Sequence, residues 1–198
     1  MGVRDWSAAA AAAGAPGMPV ARVRQVHGAA VRYAESGGDL GEADAVFTDR
    51  PGLLVAVVTA DCVPVLVAGG GMVAAIHAGW RGVAAGIIGE TLRKMSATGP
   101  LTAVVGPCIR VDAYETGEEV VSAVVKAGVP EEVVAVRRPG WPRAHADIAA
   151  AARWQLRHAG CAVVEDVGLC TWTDRRFESH RRDGARSGRQ ISLIGQRP

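Results

Sequence analysis

Three apolar runs rich in Val and Ala follow one another in the first half of the chain, and they restrict its fold more than any other feature. The first run, LLVAVVT, is unbroken from Leu53 to Thr59, which is typical of a strand buried on both faces. VPVLVA follows Asp61-Cys62, and MVAAIH follows the flexible turn Gly69-Gly70-Gly71. Buried strands of this kind need cover on both sides, so the sequence predicts a layered α/β domain.

Helical patterns alternate with the strand patterns. Apolar residues recur at helical spacing from Val83 to Met95, directly after the third run. Further helices are predicted over SAAAAAAG, capped by Ser7, over Glu118 to Ala127, and over ADIAAAARWQLRHAG. Further strands are predicted in VARVRQVHG, AAVRYA, DAVFTD, LTAVVG, EVVAVR, CAVVEDVGLC and ISLI. With 198 residues and no internal repeat or linker, the chain is predicted to be one domain spanning residues 1–198.

Charge and cysteine usage limit the classes of function. The net charge is only +2, and the 22 basic residues include just two lysines, which favours a few bidentate anion sites over a nucleic-acid surface. The four cysteines form no CxxC pair and have apolar neighbours, which predicts a reducing, cytoplasmic setting. We expect no membrane span, because no apolar run is long enough.

Three metal-ligating side chains each follow an apolar, strand-like run: His27, Cys62 and His77. Two imidazoles and a thiolate are a suitable set for a catalytic zinc, which keeps one coordination position open. The alternative is two loop histidines and a buried cysteine, because separations of 35 and 15 residues match no local metal motif. Asp61 is either a carboxylate that caps a loop or one that orients a ligand.

Two further segments are candidate anion sites. HAGWRG places Arg81 at a strand-to-helix turn, where it can bind an anion, or forms an ordinary tight turn with Trp80 packed. The late loop TWTDRRFESHRRDGARSGRQ is either a solvated surface or a site for phosphate or carboxylate. The candidates in this loop are Phe177, Arg181, Arg182 and Arg189.

Taken together, the motifs QVHG, ADAVFTD, TADCVPVLVA, AIHAGWRG, GPCI with Tyr114-Glu115, CTWTD, FESHRRDG and GRQISLI resemble one known family over essentially the whole chain. This is the YfiH/YlmD laccase-domain family, also described as multicopper polyphenol oxidase-like, PgeF-like or FAMIN-related. The resemblance implies a single α/β domain (α+β-like, with layered mixed sheets) of the YfiH-like cysteine hydrolase type. It also implies a zinc site made by His27, Cys62 and His77.

The resemblance further implies a purine nucleoside enzyme. Its members phosphorolyse adenosine, inosine and 5′-methylthioadenosine, and they deaminate adenosine. We therefore expect nucleoside and phosphate as partners, and a monomer or weak oligomer. Asp61 would move a proton, Trp80 or Phe177 would stack on the base, and Arg81 with Arg181, Arg182 or Arg189 would hold phosphate.

The sequence departs from the family pattern at two places. An N-terminal segment that brings an arginine to the site is not recognisable before QVHG, and we expect this chain to lack it. In the late loop, His180 stands between Ser179 and Arg181, where many members carry Tyr.

Other functions stay open from the residues alone. Cys62 could be the nucleophile of an amidase that edits peptidoglycan precursors. Copper is the alternative metal, as in a polyphenol oxidase, although five histidines are few for a four-copper enzyme. A metal or nucleoside binder without enzymatic activity is the third alternative.

Overall fold

The computed structural model describes residues 5–198, and its helices and strands alternate along most of the chain. The helices are α1 (Trp6–Ala12), α2 (Trp80–Ala84), α3 (Ile87–Met95), α4 (Glu118–Lys126), α5 (Glu131–Val134), α6 (Ile148–His158) and α7 (His180–Asp183). The strands are β1 (Val20–Arg24), β2 (Val31–Tyr33), β3 (Gly38–Glu42), β4 (Ala45–Thr48), β5 (Leu54–Thr59), β6 (Val63–Gly69), β7 (Met72–Ala78), β8 (Leu101–Val105), β9 (Ala135–Val136), β10 (His145–Ala146), β11 (Cys161–Asp166) and β12 (Gln190–Gly195). Short 3₁₀ turns cover Val111–Ala113 and Gly184–Arg186.

Two mixed sheets carry most of the strands. One is six-stranded, in the order β11-β8-β6-β7-β4-β2, and the other is four-stranded, in the order β12-β5-β1-β3. In the four-stranded sheet β1, β3 and β5 are mutually parallel, and β12 is antiparallel to β5. Strands β9 and β10 pair separately. This arrangement confirms the predicted α/β class with layered mixed sheets.

Three groups of buried side chains hold the layers together. Val46, Val55 and Val73 are among the residues that pack between the two sheets. On the other face of the six-stranded sheet, a larger core includes residues of α3, α4 and α6. Ala10 of α1 packs on the outer face of the four-stranded sheet, against Ala56. The order of layers is therefore helices, six-stranded sheet, four-stranded sheet, α1. Within residues 5–198, no helix has the length and apolar character needed to cross a membrane.

Four local expectations are wrong or incomplete. Helix α1 is capped by Asp5, whose side chain accepts the N–H of Ala8, and not by Ser7. The helix predicted after His77 is divided in two at Gly86, which has a φ of 80°.

The remaining two differences concern strands. The predicted strand EVVAVR begins as α5, because Glu131 and Glu132 in its first turn favour a helix start, and only Ala135–Val136 is extended. Strand β3 was not predicted, since its sequence GDLGE has low strand propensity and depends on pairing with β1.

The chain passes from the four-stranded to the six-stranded sheet three times, after β1, β3 and β5. Since these strands are parallel, their carboxyl ends lie at one edge of the sheet. The three connections contain His27, Asp44 and Cys62, respectively. The topology therefore brings together side chains that are distant in sequence.

Helix α3 provides a test of the packing between the helices and the six-stranded sheet. Ile88 is fully buried, so Ile88→Ala should lower the free energy of unfolding by about 2–5 kcal/mol through lost apolar contact and a cavity. Val163→Ala is the matched control, since Val163 is 45% exposed and should change that free energy by less than about 1 kcal/mol. Urea denaturation measures both values. Equal effects of the two substitutions would contradict the assigned core.

Candidate metal centre and adjoining cavity

His27, Cys62 and His77 meet in one cluster, with one ligand atom from each lying within 4.8 Å of the others. The Nε2 atom of His27 is 3.9 Å from the Sγ atom of Cys62. The two imidazole rings are edge to face, with centroids 4.8 Å apart. His27 has a left-handed backbone with φ 61°, which turns the chain sharply after β1.

Asp44 holds two of these three residues in place. Its carboxylate is completely buried and accepts a hydrogen bond from Nδ1 of His77 at 2.8 Å. The same carboxylate accepts the backbone N–H groups of His27 at 2.9 Å and of Gly28 at 2.7 Å. Because Nδ1 of His77 donates to Asp44, Nε2 is the ring nitrogen that faces the cluster, and it can ligate a metal ion once it has lost its proton.

Hydrogen bonds within the cluster shift the pKa values of Cys62, His77 and Asp44 in the direction opposite to the shift that burial alone would cause. Burial raises the pKa of Cys62, but hydrogen bonds with His27 and His77 outweigh it and lower the pKa from 9.0 to about 6. For His77, burial lowers the pKa, but hydrogen bonds to Asp44 and Cys62 outweigh it and raise the pKa from 6.5 to about 9. Burial raises the pKa of Asp44, but the hydrogen bond from His77 and backbone N–H groups leave it below its usual value. At neutral pH the metal-free cluster therefore contains a thiolate next to an imidazolium.

The donor set and its surroundings fit a metal ion. Two imidazoles and a thiolate are ligands that zinc and copper both accept. Gly79 lies against the cluster: a Cβ atom there would be 3.3 Å from Cys62 Sγ and 3.7 Å from His77 Nε2. Glycine therefore keeps side-chain atoms away from the space that the three donors share.

A cavity of about 560 Å³, here called the trough, begins at the cluster. Its floor includes Ala56 and Val58 of β5, on the face of the four-stranded sheet that α1 partly covers. Trp6 lines the trough as well. Its charged and titratable lining beyond the cluster consists of Arg22, Arg24, Asp39, His180 and Arg189. The trough is thus apolar along its floor and has an excess of basic groups in its walls.

A second, much smaller cavity of about 40 Å³ also touches Cys62. Trp80 and Tyr114 line it. The guanidinium of Arg81 stacks on Trp80 at 4.3 Å from the ring centroid, and that of Arg181 lies 5.0 Å from the centroid of Tyr114. The structure therefore places three predicted site residues, Trp80, Arg81 and Arg181, around this cavity and not among the residues that line the trough.

Asp61 connects the late loop to the link between β5 and β6. Its carboxylate accepts the hydroxyl of Thr171 and the backbone N–H of Arg181, both at 2.6 Å. It makes no hydrogen bond to the three cluster side chains within residues 5–198, and the carboxylate that orients His77 is Asp44. Its φ of 82° is unusual for a non-glycine residue. The geometry gives Asp61 a positioning role for the late loop.

Two other predicted site residues have structural contacts within the late loop. Arg182 donates to Asp183 and to the backbone oxygens of Thr171, Trp172 and Phe177, so its guanidinium is fully engaged and is not available to phosphate. Phe177 lines neither the trough nor the small cavity. The predictions that Arg182 binds phosphate and that Phe177 stacks on a base are therefore not supported by the geometry.

Asp44, Arg22 and Trp6 contribute to the site but are not among the residues predicted from the sequence. The sequence does contain a signal for Asp44. It is the first residue of DAVFTD and directly precedes strand β4, which is fully buried. Buried carboxylates are rare without partners, so an acid at that place indicates a hydrogen-bonding role. Arg22 and Trp6 carry no such signal, because their contact with each other depends on how α1 packs on the sheet.

Comparison with known proteins agrees with this fold. Residues 3–197 match the family described as multi-copper polyphenol oxidoreductase laccase. A purine nucleoside phosphorylase of Deinococcus radiodurans is 40% identical over 192 residues, covering 94% of this chain and 74% of the relative. Adenosine deaminase RL5, from an unknown prokaryotic organism, is 37% identical over 76% of this chain and 61% of its own length. The crystal structure of YfiH from Bacillus licheniformis superposes with a TM-score of 0.87 at 27% identity, covering 96% of this chain and 79% of that one.

The role of Asp44 is testable through metal affinity. Asp44→Asn removes the negative charge that supports His77 and puts an amide where the backbone N–H groups donate. We expect metal affinity to fall by about 10- to 100-fold, measured by competition with a chromophoric chelator. Glu165→Gln, an exposed change on β11, is the control. Unchanged affinity in Asp44→Asn would contradict the assigned role.

The lowered pKa of Cys62 predicts how the metal-free protein reacts with iodoacetamide. The thiolate is the reactive form and is the major form above a pKa of about 6, so the alkylation rate should level off above about pH 7. Mass spectrometry of peptides follows Cys62, with Cys108 as an internal control because burial raises its pKa to about 12. A Cys62 rate that keeps rising up to about pH 9 would show an ordinary thiol.

Proposed function

The chain belongs to the multi-copper polyphenol oxidoreductase laccase family. From the metal-ligand cluster and the names of its relatives, we propose that it is a zinc-dependent purine nucleoside enzyme. The proposed reactions are phosphorolysis of adenosine, inosine and 5′-methylthioadenosine, and hydrolytic deamination of adenosine. The names of the relatives from Deinococcus radiodurans and of adenosine deaminase RL5 support both. The observation that carries the proposal is the His27–Cys62–His77 cluster at the end of a basic trough.

In this proposal His27, Cys62 and His77 hold the zinc ion, and Asp44 keeps His77 in the tautomer that ligation requires. A zinc ion at this place supplies Lewis-acid activation of a water or of a substrate oxygen or nitrogen. The low pKa of Cys62 means that the thiolate is available near neutral pH without a strong base.

The trough is the proposed substrate site. Its volume of about 560 Å³ lies within the usual range for small-molecule sites, about 300–1,000 Å³. Ala56 and Val58 offer an apolar floor for a purine, and Trp6 replaces the predicted Trp80 and Phe177 as the aromatic ring that lines the cavity. Among the arginines predicted to bind phosphate, Arg189 is the one that lines the trough.

A second candidate function is cysteine-dependent amide hydrolysis, with Cys62 as the nucleophile and a peptidoglycan precursor as substrate. The thiolate–imidazolium pair of Cys62 and His77 favours it, because the same pair activates nucleophilic cysteines. Copper-dependent phenol oxidation has less support. Within residues 5–198 one cluster of three metal-ligand side chains is found, which suits a single ion better than four.

Replacing Cys62 separates these functions. Cys62→Ala should remove stoichiometric zinc and reduce adenosine turnover, with and without phosphate, to background, because the cluster loses its only anionic donor. Metal analysis and nucleoside assays with chromatographic product detection measure both effects. Cys161→Ala is the control, since Cys161 lies on β11 outside the cluster and should keep metal and activity.

Two results would contradict the proposal that the cluster is a catalytic zinc site. One is adenosine turnover in Cys62→Ala at the parent rate. The other is amide hydrolysis by a fully metal-free parent protein that stops when Cys62 is alkylated, which would establish the cysteine nucleophile instead.

A further inference from the structure

Phosphorolysis needs a site for a dianion, and most of the arginines predicted for it lie outside the trough. Arg81 and Arg181 stack on aromatic rings near the small cavity, and Arg182 is bound within the late loop. Arg189 lines the trough, and so do two arginines of β1, Arg22 and Arg24. The trough therefore has a different set of cations from the one that the sequence suggested.

Arg22 and Arg24 differ in their availability to a ligand. Arg24 forms an exposed ion pair with Glu42 at 3.4 Å. Arg22 forms no ion pair within residues 5–198, although Asp39 is its register partner on β3. The carboxylate of Asp39 accepts the backbone N–H of Gly41 instead. Arg22 is thus the more available cation of the two.

Trp6 fixes the guanidinium of Arg22 without consuming its hydrogen-bond donors. The Cζ atom of Arg22 lies 5.4 Å from the centroid of the Trp6 ring. Stacking uses the face of a guanidinium and leaves the N–H groups in its plane free for a bidentate anion contact. The half-buried position of Arg22 limits competition by water and strengthens such a contact.

Arg22 and Arg189 approach the trough from opposite sides of one strand. Strand β5 lies between β1 and β12, with Arg22 opposite Ala56 and with Gln190, the neighbour of Arg189, opposite Thr59. Thr59 also lines the trough, and its buried hydroxyl has no hydrogen-bond partner within residues 5–198. Two cations thus border the same floor strand, which ends at the metal cluster.

We propose that Arg22 and Arg189 form the subsite for inorganic phosphate in the trough, and that Arg22 determines the affinity for phosphate. This inference rests on the proposed function and assigns its second substrate to named residues. In phosphorolysis, a phosphate oxygen forms a bond to C1′ of the ribose while the C1′–N9 bond breaks. The bonding electrons leave with the purine, which takes up a proton. Deamination uses water and needs no phosphate, so it is independent of this subsite.

The test compares the parent protein with Arg22→Ala, both loaded with metal. We expect KM for phosphate to rise by roughly 10- to 100-fold in Arg22→Ala, the effect of losing a charged hydrogen-bonding partner. The kcat for deamination should change much less than the KM for phosphate, because deamination uses water and no phosphate. Calorimetric titration with inorganic phosphate should show the same loss of affinity, independently of activity.

Two variants control for charge and for geometry. Arg157→Ala removes an exposed arginine at the end of α6 and should leave phosphate affinity unchanged. Arg22→Lys keeps the charge without the planar bidentate geometry, so its KM for phosphate should lie between those of the parent and Arg22→Ala.

The possible failures of the two proposals are distinguishable. Parent-like phosphate affinity in Arg22→Ala, or no calorimetric binding of phosphate to the parent at about 10 mM, overturns the subsite. An equal loss of deamination in Arg22→Ala also overturns it, since that loss would indicate general damage to the trough. Arg22-dependent binding of phosphate by a parent that shows no phosphorolysis would support the subsite and would contradict the proposed reaction.

Discussion

The buried carboxylate of Asp44 is the interaction on which the site depends. It accepts the Nδ1 proton of His77 and the backbone N–H groups of His27 and Gly28, so one side chain fixes both imidazoles of the cluster. A fully buried carboxylate without these donors would be strongly unfavourable. The same hydrogen bonds therefore make the burial of Asp44 tolerable and position the two imidazoles of the cluster. They also raise the pKa of His77, which in turn favours the thiolate form of Cys62.

Topology explains how such distant residues meet. Strands β1, β3 and β5 are parallel, and after each of them the chain crosses to the other sheet at the same edge. One crossing carries His27, the next Asp44 and the third Cys62, while His77 lies in β7 of the other sheet. The site is therefore made where the two sheets join. The trough opens from it along the outer face of the four-stranded sheet.

The apolar runs before His27, Cys62 and His77 singled out these three side chains, and the resemblance to the family favoured the metal site over two loop histidines and a buried cysteine. The sequence could not predict that Asp44, and not Asp61, supports His77, since that contact depends on the relative position of two strands in different sheets. Arg182 was predicted to bind phosphate because the sequence does not show how the late loop folds. In the structure its guanidinium donates to backbone oxygens of that loop. Strand β3 was missed because GDLGE becomes extended only by pairing with β1. Local patterns thus identified the ligand types, whereas the supporting contacts required the fold.

X-ray absorption spectroscopy of the metal bound to the purified protein tests the central claim most directly, namely that His27, Cys62 and His77 coordinate one ion. The account predicts one sulfur ligand at about 2.3 Å and two imidazole nitrogens at about 2.0–2.1 Å for zinc, in a site with four ligands. A ligand shell of oxygen and nitrogen only, or one with several sulfurs, would contradict it. So would a protein that binds no stoichiometric metal under reducing conditions.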